Sequence, residues 1–172
     1  IEARSHADAA RVRTGEAERA CTALGARPLF AGQVDGATEV TAARYAEARA
    51  LLENEKPDLL ITHWPVDTHR DHRAASLLAY DAWLALGGRF ALYYGEVLTG
   101  DPTQQLAPTH WVDVTATLEK KRAACFAHAS QDPADMWSHH DQMQRFRGRE
   151  TGCDAAEAFA LHPRSPRANL IG

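Results

Sequence analysis

Apolar positions along the chain alternate between two kinds of pattern. Over residues 5–24, Ala9, Val12, Ala20 and Leu24 recur among Arg and Glu, and Gly25 stands where a helix end favours a left-handed residue. The spacing predicts a helix. Residues 28–34 form a short apolar run closed by Asp35-Gly36, which predicts a strand and a turn. From Thr38, the positions of Val40, Ala43, Ala46, Leu51 and Leu52 are helical again, ending in residues 54–57. Residues 58–62 are a continuous apolar run between Pro57 and Pro65, too short for a helix, and are expected to be a strand buried on both faces.

A polar loop follows, and then Ala75, Leu77, Leu78, Ala79, Trp83 and Leu86 mark another helix stopped by Gly87-Gly88. Residues 90–97 and 110–114 are expected strands, while residues 118–129, 134–147 and the short stretch 155–160 are expected helices, with an irregular tail after His162. Helices alternating with buried strands imply an α/β fold with a mostly parallel sheet.

Composition narrows the class. The 172 residues are 45% hydrophobic and 24% charged, which suits one soluble globular domain spanning residues 1–172. A chain of this size buries roughly 70% of its unfolded surface, so its core needs no metal, and a metal found here would be functional. The 19 basic and 23 acidic residues are scattered, leaving no basic stripe for nucleic acid. No apolar run reaches the ~20 residues that span a bilayer, and no signal pattern opens the chain, so neither a membrane nor a secreted location is expected and the cytoplasm is. Cys21, Cys125 and Cys153 are odd in number and widely spaced, which argues for small buried thiols over disulfides or a thiolate zinc site. The sequence leaves a homo-oligomer open.

Three of the nine histidines fall in His63-Trp-Pro-Val-Asp67-Thr-His69-Arg-Asp71-His72, just after the carboxyl end of the expected strand at 58–62. Open α/β sheets bind ligands at that end. Neutral imidazole is a common metal ligand, and a carboxylate behind it fixes its tautomer. The same residues also suit a polar loop in which Asp71 caps the next helix and His63 borders the core. Composition and spacing alone leave both readings open.

The segment from Pro57 to Ala75 resembles the second signature, with its D-x-H-x-D-H loop, of the LmbE-like, or PIG-L, family of zinc-dependent N-deacetylases. Arg13-x-x-Glu16, Leu24-Gly25, Val34-Asp35-Gly36, Val112-Asp113-Val114, Lys121-x-x-Ala124-x-x-x-His128-Ala-Ser130-Gln131 and Ala156-Glu157-Ala158-Phe159 agree with the family in order. The resemblance implies a Rossmann-like three-layer fold and a Zn2+-dependent hydrolase that removes an acetyl or other acyl group from a small amino sugar, glycoside or related amide. It implies His72 as a zinc ligand and His69 as the group that meets the tetrahedral intermediate or protonates the leaving amine. It implies Asp67 and Asp71 as ring-orienting carboxylates, and Arg13, His128 and Gln131 as substrate-binding residues.

The family's first signature, A-H-P-D-D, has no counterpart in this chain. Because the chain opens at Ile1, the expectation is a domain lacking its N-terminal strands, inactive and aggregation-prone by itself, whose full-length form is the deacetylase. The rival expectations are a metal-free relative serving as a carbohydrate-binding or scaffold protein and, more remotely, an all-helical HD-type metal phosphohydrolase.

Overall fold

The computed structural model describes residues 5–97, 100 and 102–166. Its elements, in chain order, are α1 (His6–Leu24), α2 (Ala42–Glu55), β1 (Leu59–His63), α3 (Arg70–Ala85), β2 (Ala91–Gly95), β3 (His110–Asp113), α4 (Leu118–Phe126), α5 (Pro133–Thr151) and β4 (Ala156–Leu161). The expected α/β class holds. No helix of the described residues is long and apolar enough to cross a membrane. The chain divides into two compact units, residues 1–31 with 113–156, and residues 32–112 with 157–172.

The second unit carries most of a four-stranded sheet in the order β1-β2-β4-β3. β1 and β2 run parallel, from Leu59 opposite Ala91 to His63 opposite Gly95, whereas β2 and β4 run antiparallel with Tyr94 opposite Ala160. One described register is therefore parallel and one antiparallel. β2 is the strand covered on both sides, because Leu92 and Tyr94 pack with Trp83 of α3 and Ala160, while Ala91 and Tyr93 pack with Phe159. β1 was expected in that role. It is instead the outermost strand of the described sheet, half-buried except at Ile61, which is 47% exposed.

Two further expectations fail for identifiable reasons. Residues 28–34 form no strand, and Leu29, Phe30 and Val34 are exposed. Gly32 sits at φ +65°, a left-handed conformation that interrupts any extended run. Residues 155–160, expected as a helix on their alanines, form β4 instead. Ala156, Ala158 and Ala160 alternate and are nearly fully buried, so the fit of small side chains inside the sheet overrides local helix propensity.

In the first unit, α1 is capped at one end by Ser5, whose Oγ accepts the Asp8 N–H, and at the other, as the sequence anticipates, by Gly25 at φ 72°. α1 packs on α4, and α4 on α5. A buried carboxylate holds this packing to the short 3₁₀ turn Ala129–Gln131. Glu16, 2% exposed, accepts the Ser130 N–H at 2.7 Å and the Ser130 hydroxyl at 2.8 Å. At the other end of the unit, the last turns of α5 approach residues 153–155 so closely that a Cβ on Gly148 would lie 2.6 Å from Cys153 O and 2.9 Å from Ala155 N. The three cysteines are half-buried thiols.

Gly148→Ala is expected to destabilise the protein by about 1–3 kcal/mol, because backbone and not a flexible side chain must move. Thermal unfolding checks this; a drop of several degrees is expected, and an unchanged midpoint contradicts the close approach. Burial works to raise the Glu16 pKa, but the two Ser130 bonds and then the fields of His128 and Arg13 hold it below the ordinary value of 4.5. The folded state thus releases this proton more readily than the unfolded one. Its contribution is complete above about pH 4.5 and is lost as pH falls through the lower folded value. Urea midpoints measured against pH are expected to fall more steeply in acid for the wild type than for Glu16→Gln; parallel curves contradict the assignment.

Candidate functional site

β1 delivers His63 to the carboxyl edge of the sheet, and the chain then turns through residues 64–69 before α3 begins. This loop is held along its backbone. The Thr68 N–H donates to Pro102 O at 2.8 Å, the Gln104 N–H donates to Val66 O at 2.9 Å, and Asp67 pairs with Thr103 in an antiparallel bridge. The Trp64 indole adds a hydrogen bond to Gln104 O at 2.9 Å. Loops seldom enjoy this much pairing, and the result is a fixed platform for the side chains it carries.

Asp67 organises that platform. It is 5% exposed, and a carboxylate so buried must be met by donors. Its Oδ1 accepts the His69 N–H at 2.7 Å and its Oδ2 accepts the Thr103 hydroxyl at 3.3 Å. His72 Nδ1 lies 3.1 Å from Asp67 Oδ1, an ion-pair distance without the alignment of a formed hydrogen bond. Arg73, one residue on, donates from Nη1 to the carbonyls of Asp67 and Thr68 at 2.6 and 3.1 Å.

The three imidazoles form a column. His63 and His72 stack with centroids 4.1 Å apart and planes 2° from parallel, and His69 lies 4.6 Å from His72 at 33°. Burial, then the neighbouring His72, hold the pKa of His63 below its ordinary value, with Asp67 opposing.

A hydrogen bond assigns the tautomer of His69, and the proximity of a carboxylate favours one for His72. His69 is the N-cap of α3, and its Nδ1 accepts the Asp71 N–H at 3.3 Å, so neutral His69 carries its proton on Nε2. His72 has the opposite arrangement. A carboxylate oxygen 3.1 Å from Nδ1 favours the proton there, which leaves the Nε2 lone pair available. The loop therefore presents one imidazole donor and one imidazole lone pair, each set by a local partner. The second is how a metal-ligating histidine backed by a carboxylate is arranged. Among the described residues, however, no three His, Cys, Asp or Glu side chains group to hold a metal ion, so His72 is a single donor and the described residues do not complete a metal centre.

Asp71, expected to orient the rings, spends its carboxylate elsewhere. It accepts the N–H groups of Gly36 at 2.6 Å and Thr38 at 3.1 Å, tying the turn before α2 to the start of α3. Burial works to raise its pKa, yet those bonds, with His69 adding a smaller field, hold it below the ordinary value.

The expected substrate residues Arg13, His128 and Gln131 lie in the first unit and line one cavity of about 400 Å³ between α1, α4 and α5. Arg13 Nε stands 3.9 Å from Glu16 Oε2, and Gln131 donates to Ser130 O and Oγ at 3.1 and 2.9 Å. Sequence reasoning gave no structural part to Glu16, Thr103 or Arg73. The Arg13-x-x-Glu16 spacing was a usable signal for the first and the segment ending His72-Arg73-Ala-Ala for Arg73; Thr103 sits in no recognisable pattern.

Residues 1–83 match the model of the PIG-L family, described as GlcNAc-PI de-N-acetylase. The diacetylchitobiose deacetylase of Thermococcus kodakarensis is 27% identical over 169 residues, covering 88% of this chain; the chain spans 62% of that relative's length. Two solved structures share the fold. The 4-carboxy-2-hydroxymuconate hydratase GalB of Pseudomonas putida KT2440 superposes with a TM-score of 0.84 at 20% identity, over 99% of this chain and 79% of its own. The N,N'-diacetylchitobiose deacetylase of Pyrococcus horikoshii does so with a TM-score of 0.75 at 24% identity, over 99% and 72%. The similarity to the PIG-L family model thus covers residues 1–83 of the 172.

Proposed function

We propose that the protein hydrolyses the N-acetyl group of a small amino sugar or glycoside. The observation that carries the reading is the loop after β1, where a buried carboxylate and a helix N-terminus fix two histidines in opposite tautomers. The deacetylase relative supports the same reaction class. Zinc is the ion implied, with His72 Nε2 as the donor that the described residues offer it.

The chain's own groups have definite parts. An amide carbonyl becomes an oxyanion as water adds to it, and the N–H at His69 Nε2 is the hydrogen-bond donor offered to that charge. His69 is exposed and so can reach substrate, while its ring orientation is set by the Asp71 N–H and its backbone by Asp67. Asp67 and Asp71 are positioning residues in this scheme. Arg13, His128 and Gln131 bind substrate.

Acetate release from N,N'-diacetylchitobiose by the full-length gene product tests the proposal. His69→Gln is expected to lower kcat by about 10²–10³ with KM little changed, the pattern of a donor used chiefly in the transition state. His72→Ala is expected to lower activity at least as far and to remove any dependence on added zinc. No acetate release from any N-acetylated sugar, or a His72→Ala protein of undiminished rate, overturns the reading and favours a non-catalytic carbohydrate-binding or scaffold role.

A further inference from the structure

β4 ends at Leu161, and the residues that follow close back on β2. The His162 N–H donates to Leu92 O at 2.9 Å, which carries the antiparallel ladder one bond further. The reciprocal bond of that pair is replaced. His162 O accepts the Ser165 N–H at 2.9 Å, and the Leu92 N–H donates to Ser165 Oγ at 2.7 Å. Leu92 is fully buried in the strand that anchors the sheet, so without the serine its N–H would stand unsatisfied and out of reach of water.

The turn that brings Ser165 to Leu92 is closed on one imidazole. The Arg164 N–H donates to His162 Nδ1 at 3.3 Å, and this bond needs a lone pair on that nitrogen. The ring is half-buried. From α3 it meets Trp83 and Tyr80, with centroids 4.9 and 5.2 Å away, and from β2 it meets Tyr94 at 6.2 Å. Tyr94 offers no counter-charge, because burial and then Tyr80 push its pKa up to about 12. The charge that acts on the ring is the Arg164 guanidinium, which has the same sign as an imidazolium. Burial first, and then Arg164, hold the His162 pKa below its ordinary value of 6.5. A histidine that merely filled space among these rings would be indifferent to the state of Nδ1. Here a protonated ring has donors on both nitrogens, so no rotation of it restores an acceptor for the Arg164 N–H.

We infer that residues 162–166 form a pH-sensitive strap, which neutral His162 closes on β2 at Leu92 and which protonation of His162 opens. Opening removes the imidazole from Trp83 and Tyr94 and leaves the Leu92 N–H without its serine. Because the folded-state pKa is the lower one, closure is complete above about pH 6.5 and is lost as pH falls through the folded value. The strap is independent of the deacetylase reading.

Amide hydrogen exchange in the full-length protein, corrected for the intrinsic effect of pH, tests the inference. Protection of the Leu92 and Ser165 amides is expected to fall about three- to tenfold between about pH 7.5 and about pH 5, the loss of one hydrogen bond, while the rest of β2 keeps its protection. In His162→Asn the side-chain carbonyl can accept the Arg164 N–H without titrating, so protection is expected to stay high across that range. Ser165→Ala is expected to leave Leu92 poorly protected at both ends of it. Where His162→Asn fails to fold, the nitrogen-15 shifts of the His162 ring in the unaltered protein decide, since the loss of protection is expected to follow their titration. Protection indifferent to pH in the unaltered protein overturns the inference, as does a pH dependence that survives in His162→Asn, a loss of protection that does not follow the ring, or a Leu92 amide as well protected in Ser165→Ala as before.

Discussion

Everything the candidate site can do depends on the burial of one carboxylate. Asp67 lies on a loop, where side chains are ordinarily mobile, yet it is enclosed and met by the His69 N–H, the Thr103 hydroxyl and the His72 ring. Removing a charge from water is costly unless donors replace the lost hydration, so the loop is stable only in the conformation that brings these donors in. That conformation also stacks the three imidazoles. Order in the loop and chemistry in the rings are therefore one constraint.

The sheet places this loop without enclosing it. β2, covered on both faces, anchors α3 through Trp83, and its parallel pairing with β1 sets where His63 ends. α3 then starts from His69, so a helix N-terminus and a strand C-terminus meet at the same short loop. This is where an open α/β sheet ordinarily works on ligands. The second unit thus explains its site by its topology, while the first is held by an equivalent device, Glu16 on Ser130, that shapes the turn bearing His128 and Gln131.

Much of this was legible in the residues themselves. The helix at 6–24 was readable because Gly25 marks its end, and α3 because its apolar stripe runs up to Gly87-Gly88. The density of His and Asp in residues 63–72 located the candidate site. What local pattern could not show was long-range. The alanines of β4 read as helix until the strands flanking them are known, and residues 28–34 read as strand without regard to the left-handed Gly32. Asp67 and Asp71 look alike in sequence. They part company because one meets Thr103, 36 positions away, and the other meets Gly36 and Thr38, 35 and 33 positions away, on segments that carry no signature of their own.

The central claim is that the carboxylate of Asp67 and the N-cap of α3 hold His72 and His69 in opposite tautomers. The nitrogen-15 chemical shifts of the imidazole rings read this directly in a protein labelled at histidine, at a pH where the rings are neutral. The account requires a proton on Nδ1 of His72 and on Nε2 of His69. A His72 ring protonated on Nε2, with its lone pair turned toward Asp67, would contradict it.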